Sequence, residues 1–113
     1  MAIVRYSDSA NVDFIAALKS IRLYFAEKEA IELGEKHIEL FKAGLKKQEE
    51  LLAVSPELYP IRREYDSSRF GRIYRSFNVH WFIVFYTYEN SEGVVIWFIR
   101  SAKSDYSNII MLS

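Results

Sequence analysis

The chain has no cysteine, so it can form neither a disulfide staple nor a thiolate metal site, which suits a reducing cytosol. Net charge is also absent, with 15 basic residues against 15 acidic. That balance argues against a domain whose affinity rests on many phosphate contacts, because such domains are usually strongly basic. No apolar run approaches the roughly 20 residues of a membrane span. The opening Met-Ala-Ile-Val-Arg-Tyr-Ser-Asp lacks the apolar stretch of a signal peptide, so a soluble, cytoplasmic protein is expected. HExxH, paired Cys, a Gly-rich phosphate loop and a Ser-centred elbow are all missing, which leaves metalloenzyme, nucleotide-binding and hydrolase classes without motif support. No metal and no cofactor is expected.

What is present fits one domain. The 113 residues suffice for a single sizeable core, and 50% apolar with 27% charged residues is ordinary globular usage. Aromatic residues make up 16%, a high share for this size, and most follow Tyr59. Charge is unevenly spread, with 8 basic and 10 acidic residues through Leu58 against 7 and 5 from Tyr59 onward. Five arginines (62, 63, 69, 72 and 75) share the stretch Arg62 to Arg75 with only Glu64 and Asp66. Such a cluster is either a solvated edge or a surface for phosphate or an acidic protein segment.

Two helical patterns occupy the first half. Ile3 to Tyr6 reads as a short strand, and Ser7-Asp-Ser9 supplies N-cap oxygens for a helix over about Ala10 to Phe25. Phe14, Leu18, Ile21 and Phe25 fall on one face of it. A second helix is expected over about Glu27 to Ala53, with Ile31, Gly34, Ile38, Phe41, Leu45 and Leu52 in one stripe, so the pair should form an antiparallel hairpin. Gly34 lies inside that stripe, where a missing side chain permits close backbone approach. Pro56 and Pro60, the chain's two prolines, close the helical half, because each disfavours helical geometry in the residue before it.

Beyond them, Phe70 to Phe77, Trp81 to Tyr88 and Val94 to Arg100 are rich in β-branched and aromatic residues and are separated by short turns. They are expected to pair antiparallel, with the N-terminal strand as a possible fourth member. The fold class is therefore α+β: a helical hairpin (about 10–53), a sheet meander (about 61–101) and a C-terminal tail (102–113) in one domain. Alternation places Trp81, Ile83 and Phe85 on one sheet face and Phe82, Val84, Tyr86 and Tyr88 on the other. One hairpin covers one face, so an exposed apolar strip suited to a protein partner is expected on the other, the alternative being a tail of this same chain folded back over it.

The two histidines invite separate readings. His37 sits beside the apolar stripe of the second helix, where a hydrogen-bonded histidine at the core edge is the expectation. His80 stands at a turn beside Trp81. A turn histidine is usually solvated, and the alternative role is a general base.

The order of these pieces resembles the RelE/ParE superfamily of toxins from type II toxin-antitoxin (plasmid stabilisation) systems. The resemblance runs from the opening strand and hairpin through Pro56-Glu57-Leu58, Pro60-Ile-Arg-Arg-Glu64 and the strand Phe82-Ile-Val-Phe-Tyr86 to Asp105-Tyr106. It implies a growth-inhibiting toxin with an antitoxin partner lying along its surface, and no membrane. RelE-like members are implied to cut messenger RNA in the ribosome, and ParE-like members to bind and poison DNA gyrase. The strand Arg of the RNA-cutting members corresponds here to Ile83, and their paired lysines fall near Tyr74 and Ser76. A metal-free nuclease needs a base, a cation for the phosphorane and an acid; Arg72, Arg75, Arg100, Lys103 and Tyr106 are the candidates. For a binding protein the candidates are Trp81, Tyr86, Tyr88, Arg100 and Tyr106. The ParE-like, non-nucleolytic reading is preferred, with a RelE-like endoribonuclease or an inactive toxin-like binder as alternatives, and with oligomers possible through the antitoxin.

Overall fold

A computed structural model describes residues 1–62 and 72–102. The elements follow in the order β1 (Val4–Tyr6), α1 (Asp8–Glu27), α2 (Ile31–Val54), β2 (Arg75–Val79), β3 (Phe82–Glu89) and β4 (Gly93–Ser101). The α+β class and the hairpin-on-sheet arrangement are as the sequence predicts. The sheet order is β1-β4-β3-β2. β2, β3 and β4 form the antiparallel meander, whereas β1 joins beside β4 in parallel, with Val4 opposite Val94 and Tyr6 opposite Ile96. The sheet is thus mixed. An antiparallel neighbour can follow a tight turn, but β1 reaches β4 only after the two helices and the meander, and a long connection of that kind permits parallel pairing.

Local signals explain the boundaries. Ser7 Oγ accepts the Ala10 amide at 3.0 Å and donates to the Trp97 carbonyl at 3.2 Å, so the α1 cap is also a tether to β4. α1 runs two residues past the expected end. Its Phe25 carbonyl accepts the Lys28 and Ala30 amides, and Glu29 turns the chain at φ 57°. α2 accordingly starts at Ile31, which is 70% exposed and lies outside the stripe assigned to it. Gly34 is the close contact expected, since a Cβ there would stand 3.0 Å from Phe25 Cβ.

The core lies between the hairpin and one sheet face. Ile21, Ile38, Phe41 and Leu52 from the helices meet Val84, Tyr86, Val94 and Ile96 from the sheet, all buried. Phe41 is its hub, with ring centroids 5.9 Å from Phe14 and 5.0 Å from Phe82. Truncating a buried phenylalanine of this kind to alanine costs about 3–5 kcal/mol.

The opposite face corrects the expected exposed strip. Tyr74, Ile83, Phe85 and Phe98 are buried there in a second cluster, with the Tyr74 ring 5.9 Å from Phe98 and 6.4 Å from Phe85. The Tyr74 ring, one residue ahead of β2, leans on both Phe85 of β3 and Phe98 of β4. Most of the exposed large apolar residues among those described sit instead on the helices, such as Val12, Ile15 and Leu23 on α1 and Leu33, Leu40 and Val54 on α2, with Met1, Ile3, Leu58 and Ile73 elsewhere. No helix among the described residues is long and apolar enough to cross a membrane.

A bulge shapes the middle of this face. Phe85 pairs with Phe98 but Tyr86 pairs with Ile96, so Trp97 is the extra residue of β4. Its indole donates to Thr87 Oγ1 at 2.9 Å.

Candidate functional site

The described candidate residues fall at two ends of the sheet. At the β2 start and β3 end, Arg72, Arg75, Thr87, Tyr88 and the acidic Glu89 line an open cavity of about 430 Å³ together with Ile61 and Ile73. Arg72, Arg75 and Tyr88 therefore come together, as a charged and phenolic rim. Each is held by neighbours. Arg75 donates to the Tyr59 carbonyl at 2.6 Å and to the Glu57 carbonyl at 3.3 Å, pinning the segment after α2 to the sheet. The Arg72 guanidinium lies 3.6 Å above the Trp97 ring and donates to the Tyr74 hydroxyl at 3.3 Å. Tyr88 donates to Asn90 Oδ1 at 2.7 Å. Next to them, Arg62 donates to Ser76 Oγ at 2.8 Å, and its amide bonds the Tyr74 carbonyl.

Tyr86 is not a surface contact. Its side chain is fully buried under the Pro56 segment and donates to the Pro56 carbonyl at 3.0 Å. Burial pushes its phenol up to about 12, although the Tyr59 backbone and the Arg75 charge pull the other way. Its place on the helix-covered face, readable from alternation, makes it part of the core.

At the far end stand Arg100 and Trp81. Ile83 pairs with Arg100 while Tyr88 pairs with Val94. Five residues of strand separate the two positions, about 17 Å at the usual rise. Arg100 forms an ion pair and hydrogen bond with Asp13, both side chains being mostly shielded at 19% and 18% exposure, and its guanidinium also lies 5.0 Å from the Phe98 ring. The described arginines thus do not converge on one point. Lys103 and Tyr106 lie outside the described residues.

Trp81 corrects the simple alternation. It belongs to the two-residue turn between β2 and β3, not to the strand, because Val79 pairs directly with Phe82. Its ring consequently packs on the hairpin side, 5.2 Å from Tyr24, 6.3 Å from Phe25 and 4.2 Å from His80. His80 is the turn's first residue at φ 57°, a backbone region uncommon for a residue with a side chain. It is not the solvated turn histidine expected: its Nε2 lies 2.8 Å from His37 Nδ1, and its own Nδ1 is buried with no hydrogen-bond partner. His37 is the hydrogen-bonded histidine at the core edge that its position predicts. Among the described residues no three His, Asp or Glu side chains gather as a metal ion would require.

Residues 4–106 match the family model of the ParE toxin of the type II toxin-antitoxin system, parDE. The chain belongs to the ParE toxin family. The match spans every element from β1 to β4, so the helical hairpin and the sheet both lie within the ParE toxin domain. No curated protein matches the chain. Within this ParE toxin, Asp13 and the His37–His80 pair are the contacts that sequence reasoning missed. An isolated acid on an exposed-looking helical position carries no motif, and two histidines 43 residues apart show no spacing that signals contact.

Proposed function

We propose that this ParE toxin acts in the cytoplasm as a growth inhibitor that binds an essential target, DNA gyrase, without cutting RNA, and that a cognate antitoxin neutralises it. The observation that carries the reading is the state of the described arginines. A metal-free nuclease concentrates cationic charge where the phosphorane develops. Here Arg100 is bound to Asp13, Arg75 to two backbone carbonyls, and Arg72 to the Trp97 face, and Arg75 pairs with Tyr86, three residues or about 10 Å of β3 away from the Ile83 that pairs with Arg100. Ile83, at the strand position where RNA-cutting relatives carry Arg, is buried in an apolar cluster. These arginines serve the fold first.

The cavity that Arg72, Arg75 and Tyr88 share is what favours the second reading, a ribosome-dependent messenger RNA endoribonuclease. An assay with purified components separates the two. The chain is added to gyrase with supercoiled DNA, and in parallel to ribosomes translating a defined message. Lost supercoiling or accumulated cleaved DNA, with the message intact, is the expected result. A cut message with unaffected gyrase would overturn the proposal, and inertness in both would leave the toxin-like binder.

A further inference from the structure

One corner of the molecule has no part in that reading. Where the closed end of the helical hairpin meets the β2–β3 turn, His37 from α2 and His80 from the turn approach edge to face, with ring centroids 5.1 Å apart and Nδ1 to Nε2 at 2.8 Å. Rings enclose them. Phe25 from α1 lies 4.6 Å from His37, Trp81 lies 4.2 Å from His80, and Phe41 from α2 and Phe82 from β3 lie 6.5 and 6.3 Å from His80. The charged and titratable groups around the corner are few. From α1, Tyr24 abuts Trp81 and carries Lys28 over its outer ring face at 4.8 Å, while Arg22 pairs with Glu35 of α2 across the helices at 3.1 Å. Neither imidazole is hydrogen-bonded to a carboxylate among the described residues.

The chemistry of that contact is restrictive. A hydrogen bond between two imidazole nitrogens needs one of them bare, so the pair is compatible with no proton in excess or with one, but not with two. Two imidazolium rings would set N–H against N–H at 2.8 Å inside an aromatic wall. The turn has its own reason to move, since His80 holds a left-handed backbone that only Gly adopts freely. The contact also has reach. The Trp81 carbonyl accepts the Ala102 amide at 2.8 Å, and Phe82 pairs with Ser101, so the turn anchors the end of β4 next to Arg100.

We propose that His37 and His80 form a proton-sensitive latch that ties the β2–β3 turn, and with it the end of β4, to α2, and that opens when both imidazoles are protonated. Burial, and then the neighbouring His37, hold His80 below the ordinary histidine range. The sign follows from that direction. The neutral latch contributes stability in full above the ordinary value of about 6.5, and loses it as pH falls through the lowered value.

Amide hydrogen exchange on the full chain, with imidazole nitrogen NMR, tests this. Protection at Ala102, whose amide the Trp81 carbonyl accepts, should drop at least about tenfold from pH 7.5 to pH 5 while the Ile21 and Phe41 amides stay protected. The drop should vanish in His80→Asn, since Asn tolerates the left-handed turn, and in His37→Gln. Equal protection at both pH values, or a drop that survives in either variant, would overturn the latch. Should both variants fail to fold, the wild-type rings decide: two coupled steps, the second displaced below about 6.5, support it, and two independent titrations at ordinary values refute it.

Discussion

The carboxylate of Asp13, on the second turn of α1, binds the guanidinium of Arg100 at the end of β4 and accepts the Ile99 amide at 3.0 Å. β1 ends at Tyr6, opposite Ile96, so among the described residues β4 runs on past its last β1 partner. Asp13 meets it there from α1. A single helical side chain thereby satisfies an edge amide and neutralises a shielded cation.

Asp13→Ala and Arg100→Ala should each cost about 2–3 kcal/mol, because each removes one side of a mostly shielded, hydrogen-bonded ion pair. The Asp13 change should be the more severe, as it also orphans the Ile99 amide. Urea unfolding of both variants and the double variant gives the coupling energy. Independent, additive effects would show that the pair contributes nothing beyond its separate contacts. Loss of activity in Arg100→Ala therefore has meaning only beside this stability measurement.

Gly93→Ala should destabilise the β3–β4 hairpin by about 2 kcal/mol or more. Gly93 sits at φ 76°, and an added Cβ would stand 2.5 Å from the Ile3 carbonyl oxygen, the atom that accepts the Val94 amide. Lost exchange protection at Val94, with the helices intact, is the expected pattern. A variant with wild-type stability would mean that β1 shifts at little cost.

Tyr86→Phe removes the hydroxyl that holds the Pro56 carbonyl and should cost about 1 kcal/mol. The same phenol makes the fold alkali-sensitive. With its folded value pushed up to about 12, its contribution is full below the free tyrosine value of about 10 and is lost as pH rises through about 12. Tyr6, half-buried and beside Glu49, is raised as well, by burial first and then by the Glu49 carboxylate, and adds in the same direction. The share of the phenolate absorbance due to these two of the chain's eight tyrosines should therefore rise late and together with unfolding. A rise to the full eight-tyrosine absorbance at ordinary tyrosine values, with the fold intact, would contradict the shielding of both rings.

Arg75→Ala should loosen the segment after α2, since it deletes the donor to both the Glu57 and Tyr59 carbonyls. Limited proteolysis should cut between Ser55 and Ile61 sooner than in the wild type, while Arg75→Lys, which retains one donor centre, falls between. Equal cleavage rates would free Arg75 for a role outside the fold.

Much of this architecture was legible because periodicity reports burial. Phe14, Leu18, Ile21 and Phe25 marked the inner face of α1, and the alternation of Phe82, Val84 and Tyr86 marked the strand face beneath the helices. The same alternation could not show that the opposite face closes into its own cluster, because that depends on Tyr74, one residue ahead of β2, meeting Phe85 and Phe98. Turn placement decided the rest. With His80 and Trp81 forming the turn, Trp81 leaves the strand pattern, and a register argument begun at Trp81 assigns its ring to the wrong side. Arg72, Arg75 and Tyr88 were found by residue type and do share a cavity. Asp13 escaped notice because its partners lie 86 and 87 residues away.

The most direct test of a toxin that inhibits without cutting RNA is induced expression of the wild-type chain alone in a bacterial host. Primer extension across abundant messages would be read beside the DNA-damage response. Growth arrest with uncut transcripts and an induced damage response is the predicted result. Arrest with cuts placed by codon position and no damage response would contradict it, and would assign the Arg72–Arg75–Tyr88 cavity a nucleolytic role.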